Sequence, residues 1–433
     1  MKAAFYTLGC KVNQYDTQAM RELFEKAGHE VVEFEQAADV YIINTCTVTQ
    51  VADKKSRQII SRACELAREH GNADAHIIVA GCYGQWAHER LIELEGVDIV
   101  AGTSERGRIV ELAEGLVRGS FEPIVVKKVT GLEFEDISAV KEGRTRAHLK
   151  IQEGCDRFCT YCIIPHVRGN VRSRSLESIR RELEKLEAEG FKEVVLTGIH
   201  LMSYGKETKY TVTLLDAIRQ ADGIDGIKRI RLGSLEPQLL TDEFVKTLAE
   251  NGKICRHFHL SMQSGSDSVL RRMGRRYVSD EYMRCVELLR KYMPGCAITT
   301  DIIAGFPGET EEEHAETLAF AEKVGFSRIH VFPYSRRAGT PAYSMPDQVE
   351  NKVKSRRASE LIKLGERLER AYLEGAVGTV QSVLFETEDG EYMCGYTPTY
   401  MHVRALADKS LQNNIVDVKI TGVEGSALVG KIQ

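Results

Sequence analysis

The string GCDRFCTYCIIP (Gly154–Pro165) places Cys155, Cys159 and Cys162 in a CxxxCxxC triplet. Three thiolates on one short loop are soft ligands, suited to zinc or to an iron–sulfur cluster. A structural zinc site closes with four ligands, and no Cys or His at finger-like spacing follows. His166, directly after a proline, is the nearest candidate. A cubane held by three cysteines leaves one iron open for a substrate or cofactor, and that makes the triplet a catalytic expectation. Phe158 and Tyr161 lie between the ligands and are placed to shield a cluster from water, which tunes its potential.

A second set of cysteines closes the strings TLGC (Thr7–Cys10), INTC (Ile43–Cys46) and VAGC (Val79–Cys82). Each ends a predicted strand. In an open parallel sheet such ends share one edge, where ligands bind, so Cys10, Cys46 and Cys82 are expected to converge on one site. Cys64, Cys255, Cys285, Cys296 and Cys394 read as small packing residues.

The elements that must position these groups follow from hydrophobic periodicity. Short apolar runs (Ala3–Leu8, Glu30–Phe34, Val40–Asn44, His76–Ala80, Val97–Ala101) alternate with helical patterns such as Thr17–Ala27 and Asp53–His70. That is the βαβ rhythm of an open parallel sheet over 1–121. Residues 122–143 are polar and aperiodic and read as a linker. A second βα series fills 144–372, with strands at His148–Gln152, Glu193–Thr197, Arg229–Leu232, His257–Met262, Ala297–Ile303 and Arg328–Phe332. It predicts a partial (β/α)6 barrel whose working groups sit at the C-terminal strand ends. A charged helix over Val349–Tyr372 leads into short alternating strands, and 373–433 reads as a small all-β barrel of OB-like size.

The chain has 433 residues, eleven cysteines and a formal charge of −5. It is not an overall electrostatic magnet for nucleic acid, so any such site must be a local patch. There is no signal-like start and no run of about eighteen apolar residues, so a cytoplasmic protein without a membrane span is expected.

These residues resemble the radical S-adenosylmethionine superfamily and, within it, the methylthiotransferases. The resemblance rests on TLGCKVNQYDTQ (Thr7–Gln18), NTCTVT (Asn44–Thr49), GCDRFCTYCIIP, LTGIHL (Leu196–Leu201), HLSMQSGSDSVLRRMGR (His259–Arg275) and TDIIAGFPGET (Thr300–Thr310). It implies two [4Fe–4S] clusters, on Cys10/Cys46/Cys82 and Cys155/Cys159/Cys162, with S-adenosylmethionine at the second and a C-terminal barrel like the TRAM domain. The string around Cys10 resembles the MtaB-type branch. That branch methylthiolates C2 of N6-threonylcarbamoyladenosine beside the anticodon of tRNA, with an electron donor such as flavodoxin or ferredoxin. Isopentenyladenosine in tRNA, a ribosomal-protein aspartate, or a non-catalytic RNA-binding iron–sulfur protein remain the alternatives. Within this frame Gly198, Glu236, Gln263, Ser264 and Gly305 follow successive strands and are expected to meet the S-adenosylmethionine. Phosphate contacts are expected from Arg271/Arg272/Arg275/Arg276, from Arg168/Arg172/Arg174 and from Lys352/Lys354/Arg356/Arg357. A further RNA-contacting face is expected from Tyr396, Tyr400, His402 and Arg404, although that barrel is acidic.

Overall fold

A computed structural model describes residues 1–72, 74–139 and 145–433. The first unit contains β1 (Lys2–Thr7), β2 (Glu30–Val32), β3 (Val40–Thr45), β4 (His76–Gly81), β5 (Ile99–Ala101) and β6 (Ile124–Val125). They form a parallel sheet in the order β2-β1-β3-β4-β5-β6. Helices α1 (Lys11–Lys26), α2 (Gln50–Glu69), α3 (Cys82–Leu91) and α4 (Ile109–Val117) cover its faces. Phe5, Ile42 and Ile78 pack with Met20, Phe24 and Leu112 on one side; Tyr41, Ile43 and Val79 pack with Ile60 and Leu66 on the other. Two-sided burial explains why β3 reads as a continuous apolar run. Chain order reverses between β1 and β3, so the crevice at their carboxyl ends is a topological switch point. Cys10 and Cys46 follow these two strands, and Cys82 follows their neighbour β4.

The second unit has β7 (Arg146–Glu153), β8 (Arg172–Ser173), β9 (Glu193–Gly198), β10 (Arg229–Leu232), β11 (His257–His259), β12 (Ala297–Ala304) and β13 (Arg328–Pro333). Parallel pairing joins β7-β9-β10 and β11-β12-β13, and parallel bridges at Ile230–Ile254 and Leu235–Leu260 connect the halves. The six parallel strands make the open barrel expected from the periodicity, with antiparallel β8 on the β7 edge. Its helices are α5 (Ile164–Arg168), α6 (Leu176–Ala188), α7 (Leu214–Asp222), α8 (Asp242–Glu250), α9 (Asp267–Arg272), α10 (Ser279–Tyr292) and α11 (Glu311–Val324). The long α12 (Asn351–Glu374) lies along β13 and leads into β14 (Val380–Asp389), β15 (Tyr392–Tyr396), β16 (His402–Leu406), β17 (Ile415–Glu424) and β18 (Ala427–Ile432). These close as β14-β15-β16-β18-β17, which leaves no free sheet edge.

Three local features differ from the periodic reading. Helix α1 begins at Lys11 rather than Thr17, because its buried face carries Asn13 and Asp16, and polar groups there mask the apolar stripe. Helix α3 starts on Cys82 itself and is kinked at Ala87, too short to show a period. The 122–143 segment is not a bare tether where it is described. Ile124–Val125 adds β6, Glu135 pairs with Arg106, and Asp136 pairs with Arg174. Residues 140–143 of it lie outside the described residues.

Candidate active site

Strand β7 delivers the CxxxCxxC loop to the mouth of the open barrel. Gly154 turns the chain at φ +74°, and a Cβ there would lie 2.7 Å from the Gly169 carbonyl oxygen. Only glycine lets the loop press against the residues after α5. The Cys155 N–H donates to the Gly169 carbonyl at 2.9 Å, and the Thr160 N–H donates to Met273 at 2.9 Å. The Arg157 N–H is directed at the Cys155 sulfur and the Ile164 N–H at Cys162. Burial pushes the Cys155 thiol up to about 11 and Cys162 to about 12. It does the same to Cys255, up to about 12, so acidity does not single out the loop; geometry does.

A cleft of about 150 Å³ opens over the three sulfurs and is lined by Tyr161, His200, Glu236, Gln263 and Arg275. Burial acts to raise the Glu236 carboxyl. The His200 hydrogen bond and charge, with Arg275 and Arg157, outweigh it and hold the group down at about 2. Arg157 Nε lies 2.9 Å from Glu236 Oε2, and His200 donates to the same oxygen. The cleft therefore presents a fixed anion between two guanidinium groups. Tyr161 is turned inward against Phe306 and shields the loop. Phe158 does not: its side chain is 59% exposed on a backbone of φ +47°, unusual for a bulky residue.

Of the five residues expected to meet S-adenosylmethionine, Glu236 and Gln263 line the cleft. Gly198 does not line it: it precedes the lining residues Ile199 and His200 and abuts Gln152, whose Cβ would lie 2.8 Å from a Cβ there. Ser264 points away, its hydroxyl 3.1 Å from that of Thr317. Gly305 is covered by Lys354, and its N–H donates to Glu309 at 3.0 Å. Sequence reasoning does not single out His200 or Arg157, and it assigns Arg275 to a phosphate-contacting run, whereas the structure turns Arg275 into the cleft beside Glu236. His200 lies within the LTGIHL string, two residues after Gly198, and that spacing was the available signal.

The N-terminal set converges as the strand ends predict. A Cβ on Gly9 (φ +108°) would lie 2.9 Å from Cys46 Cβ, so the bare glycine is what lets the Cys10 loop approach Cys46. Cys46 and Cys82 are 8% and 3% exposed, and Cys82 feels the charges of both others. Cys10 is the N-cap of α1, Cys82 is the first residue of α3, and α2 starts four residues beyond Cys46. Helix N-termini favour negative charge, which suits thiolates and an anionic cluster. Among the described residues no three Cys, His, Asp or Glu side chains close around a single ion. A cubane spreads its three thiolates over separate irons and calls for a wider triangle. Both sets fit one in donor type and setting.

Helix α5 connects the two sets. It starts two residues after Cys162 and ends at Arg168, whose Nε donates to Cys82 Sγ at 3.2 Å. Ile163 and Val167 pack with Cys82 and Trp86.

Two family models match the chain: the Radical SAM superfamily over residues 149–321 and Uncharacterized protein family UPF0004 over residues 2–102. The chain is 44% identical to the threonylcarbamoyladenosine tRNA methylthiotransferase MtaB of Bacillus subtilis, over 96% of this chain and 93% of that protein. It is 36% identical to the tRNA-2-methylthio-N(6)-dimethylallyladenosine synthase of Natranaerobius thermophilus, over 99% and 96%. The chain belongs to the radical S-adenosylmethionine methylthiotransferases. Among solved structures, the radical S-adenosylmethionine methyltransferase TsrM of Kitasatospora setae shares the fold, with a TM-score of 0.58 at 16% identity over 88% of this chain and 77% of that one. Membership makes S-adenosylmethionine and a [4Fe–4S] cluster cofactors of this methylthiotransferase.

Proposed function

We propose that this methylthiotransferase converts N6-threonylcarbamoyladenosine beside the anticodon of tRNA to its 2-methylthio form, in the cytoplasm, with two [4Fe–4S] clusters. The observation that carries the substrate is the 44% identity, across nearly the whole chain, to a threonylcarbamoyladenosine-specific relative. The dimethylallyladenosine reading is second, favoured by the 36% relative of that specificity. When bound, a cluster on Cys155/Cys159/Cys162 supplies the electron that cleaves S-adenosylmethionine, and one on Cys10/Cys46/Cys82 carries the sulfur to be inserted at an unactivated C–H.

The chain's own residues bind and orient. The ionised Glu236, fixed by His200 and Arg157, offers a carboxylate acceptor to an ammonium group, and Gln263 offers an amide at the far wall. Tyr161 and Phe306 exclude water behind the loop. Phe158, exposed and edge-on to His166, offers its outer face to an unstacked base.

Of the basic runs, Arg168, Arg172 and Arg174 are buried, and Arg272, Arg356 and Arg357 pair with Glu313, Glu311 and Glu309. Arg271, Arg276 and Lys352 stay exposed and are the proposed phosphate contacts. Tyr396 and Tyr400 stack on each other and under Arg146, so they dock the small barrel onto the core. Arg404 pairs with Asp389. Tyr396 and Tyr400 are thus engaged by the core, and affinity for RNA is assigned to the core.

Nucleoside mass spectrometry on tRNA from a strain lacking this protein tests the reading. The 2-methylthio-threonylcarbamoyl nucleoside should vanish and its precursor accumulate. Loss of the dimethylallyl counterpart instead would favour the second reading, and loss of neither would overturn both.

A further inference from the structure

The N-terminal cysteine set lies on one unit of the fold, yet one of the groups touching it comes from the other. Arg168, at the end of α5 in the core, is 1% exposed and uses all three guanidinium nitrogens. Nε donates to Cys82 Sγ at 3.2 Å, and Nη1 to Glu153 at 2.8 Å and Asp16 at 3.4 Å; Nη2 donates to the Asn13 side-chain oxygen. Asn13 and Asp16 belong to α1, three and six residues after Cys10. One planar fork thus holds both sides of the junction and a thiol at once.

The surroundings explain why a cation stands there. Arg106 pairs with Asp16 at 3.0 Å, Glu153 at 3.2 Å and Glu135 at 2.9 Å. Lys150 reaches Asp16 and, at 3.2 Å, Glu153. Buried Arg172 donates to the Arg168 carbonyl and has no ion pair among the described residues. Among the described residues, Arg106, Lys150, Arg168 and Arg172 therefore share this junction with only Asp16, Glu135 and Glu153. An unbalanced buried charge is costly, and one N–H of the network, Arg168 Nε, is turned away from the carboxylates onto Cys82. A thiolate there, or the anionic cluster it would hold, supplies the missing negative charge. The other set repeats the contact more loosely, with Arg275 Nη1 at 3.4 Å from Cys159 Sγ.

We propose that Arg168 is a positioning residue for the N-terminal cluster: its charge-assisted N–H···S bond to Cys82 orients that ligand and raises the cluster's reduction potential. Hydrogen bonds to ligand sulfur and local charge are the protein's means of setting such potentials. The inference rests on the reading of Cys10/Cys46/Cys82 as a cluster site.

The test uses the full chain carrying Cys155→Ala, Cys159→Ala and Cys162→Ala, so that only the N-terminal set remains, reconstituted anaerobically with iron and sulfide. With nitrogen-15 arginine, pulsed electron paramagnetic resonance of the reduced cluster should show a nitrogen-15 coupling. Arg168→Met should remove the coupling and lower the midpoint by at least tenfold in the one-electron equilibrium, about 59 mV. Arg168→Lys should fall between, since lysine keeps the charge but not the fork. An iron-loaded protein with no coupling, or unchanged midpoints in Arg168→Lys and Arg168→Met, overturns the role of Arg168. The label measurement needs no substitution at Arg168, so it decides even if the methionine variant does not fold. A protein that takes up no iron overturns the cluster reading itself, and this inference with it.

Discussion

At the scale of single residues, the cleft is held by charges whose consequences can be measured. Glu236 sits at about 2 rather than the ordinary 4.5 because His200, Arg275 and Arg157 outweigh its burial. A depressed carboxyl favours the folded state above its unfolded value and loses that contribution as the pH falls through the folded one. Urea denaturation across acid pH should show wild-type stability declining between pH 4.5 and 2, with Glu236→Gln less stable at neutrality and flatter over that window. Parallel profiles would remove Glu236 from its assigned role. Phe158 should behave differently. Its exposed ring contributes little to folding, so Phe158→Ala should change stability by no more than about 0.5 kcal/mol while weakening RNA binding. The cysteines were legible because soft ligands at CxxxCxxC spacing and at three strand ends have few other uses. His200 and Arg157 were not, because a polar residue after a strand looks like any turn former until its carboxylate partner is known. The basic runs misled for a related reason: sequence shows the cation but not the buried acid that claims it.

At the scale of elements, the strands and long helices followed from periodicity because their apolar faces meet a single core. The short pieces around the site did not. Helix α3 is kinked and α5 spans only Ile164–Arg168, so neither offers a period, yet they carry the contact between the two cysteine sets. The only tryptophan of the chain, Trp86, stands at this contact, packed with Cys82 and Ile163 and against the bare Cα of Gly339. Excited selectively over the sixteen tyrosines, its fluorescence reports on this contact with no second tryptophan to confuse it. Loading iron into the N-terminal set should quench it, and Cys10→Ala/Cys46→Ala/Cys82→Ala should abolish most of that quenching. Equal quenching in that variant would place the iron elsewhere.

At the scale of the whole molecule, a buried charge network joins the N-terminal sheet to the barrel. Lys150 and Asp16 are each 1% exposed and come from opposite sides of the junction. Lys150→Met removes one of the cations shared by Asp16 and Glu153, which keep Arg106 and Arg168, and should cost less stability than the about 3–5 kcal/mol of a fully broken buried pair. Loss of cooperativity between the two units in thermal unfolding would accompany it. Polar residues on the buried face of α1 gave no sign of this junction in the sequence, since the partners of Asp16 lie 90 and 134 residues away. The central claim is that the two cysteine sets divide the labour on a threonylcarbamoyl substrate. The most direct measurement follows 5′-deoxyadenosine and the modified nucleoside together, by mass spectrometry, with an anticodon stem-loop bearing N6-threonylcarbamoyladenosine. Wild type should yield both products, Cys159→Ala neither, and Cys46→Ala 5′-deoxyadenosine without methylthiolation. A Cys46→Ala protein that still delivers the methylthio group, or a Cys159→Ala protein that still forms 5′-deoxyadenosine, would contradict the account.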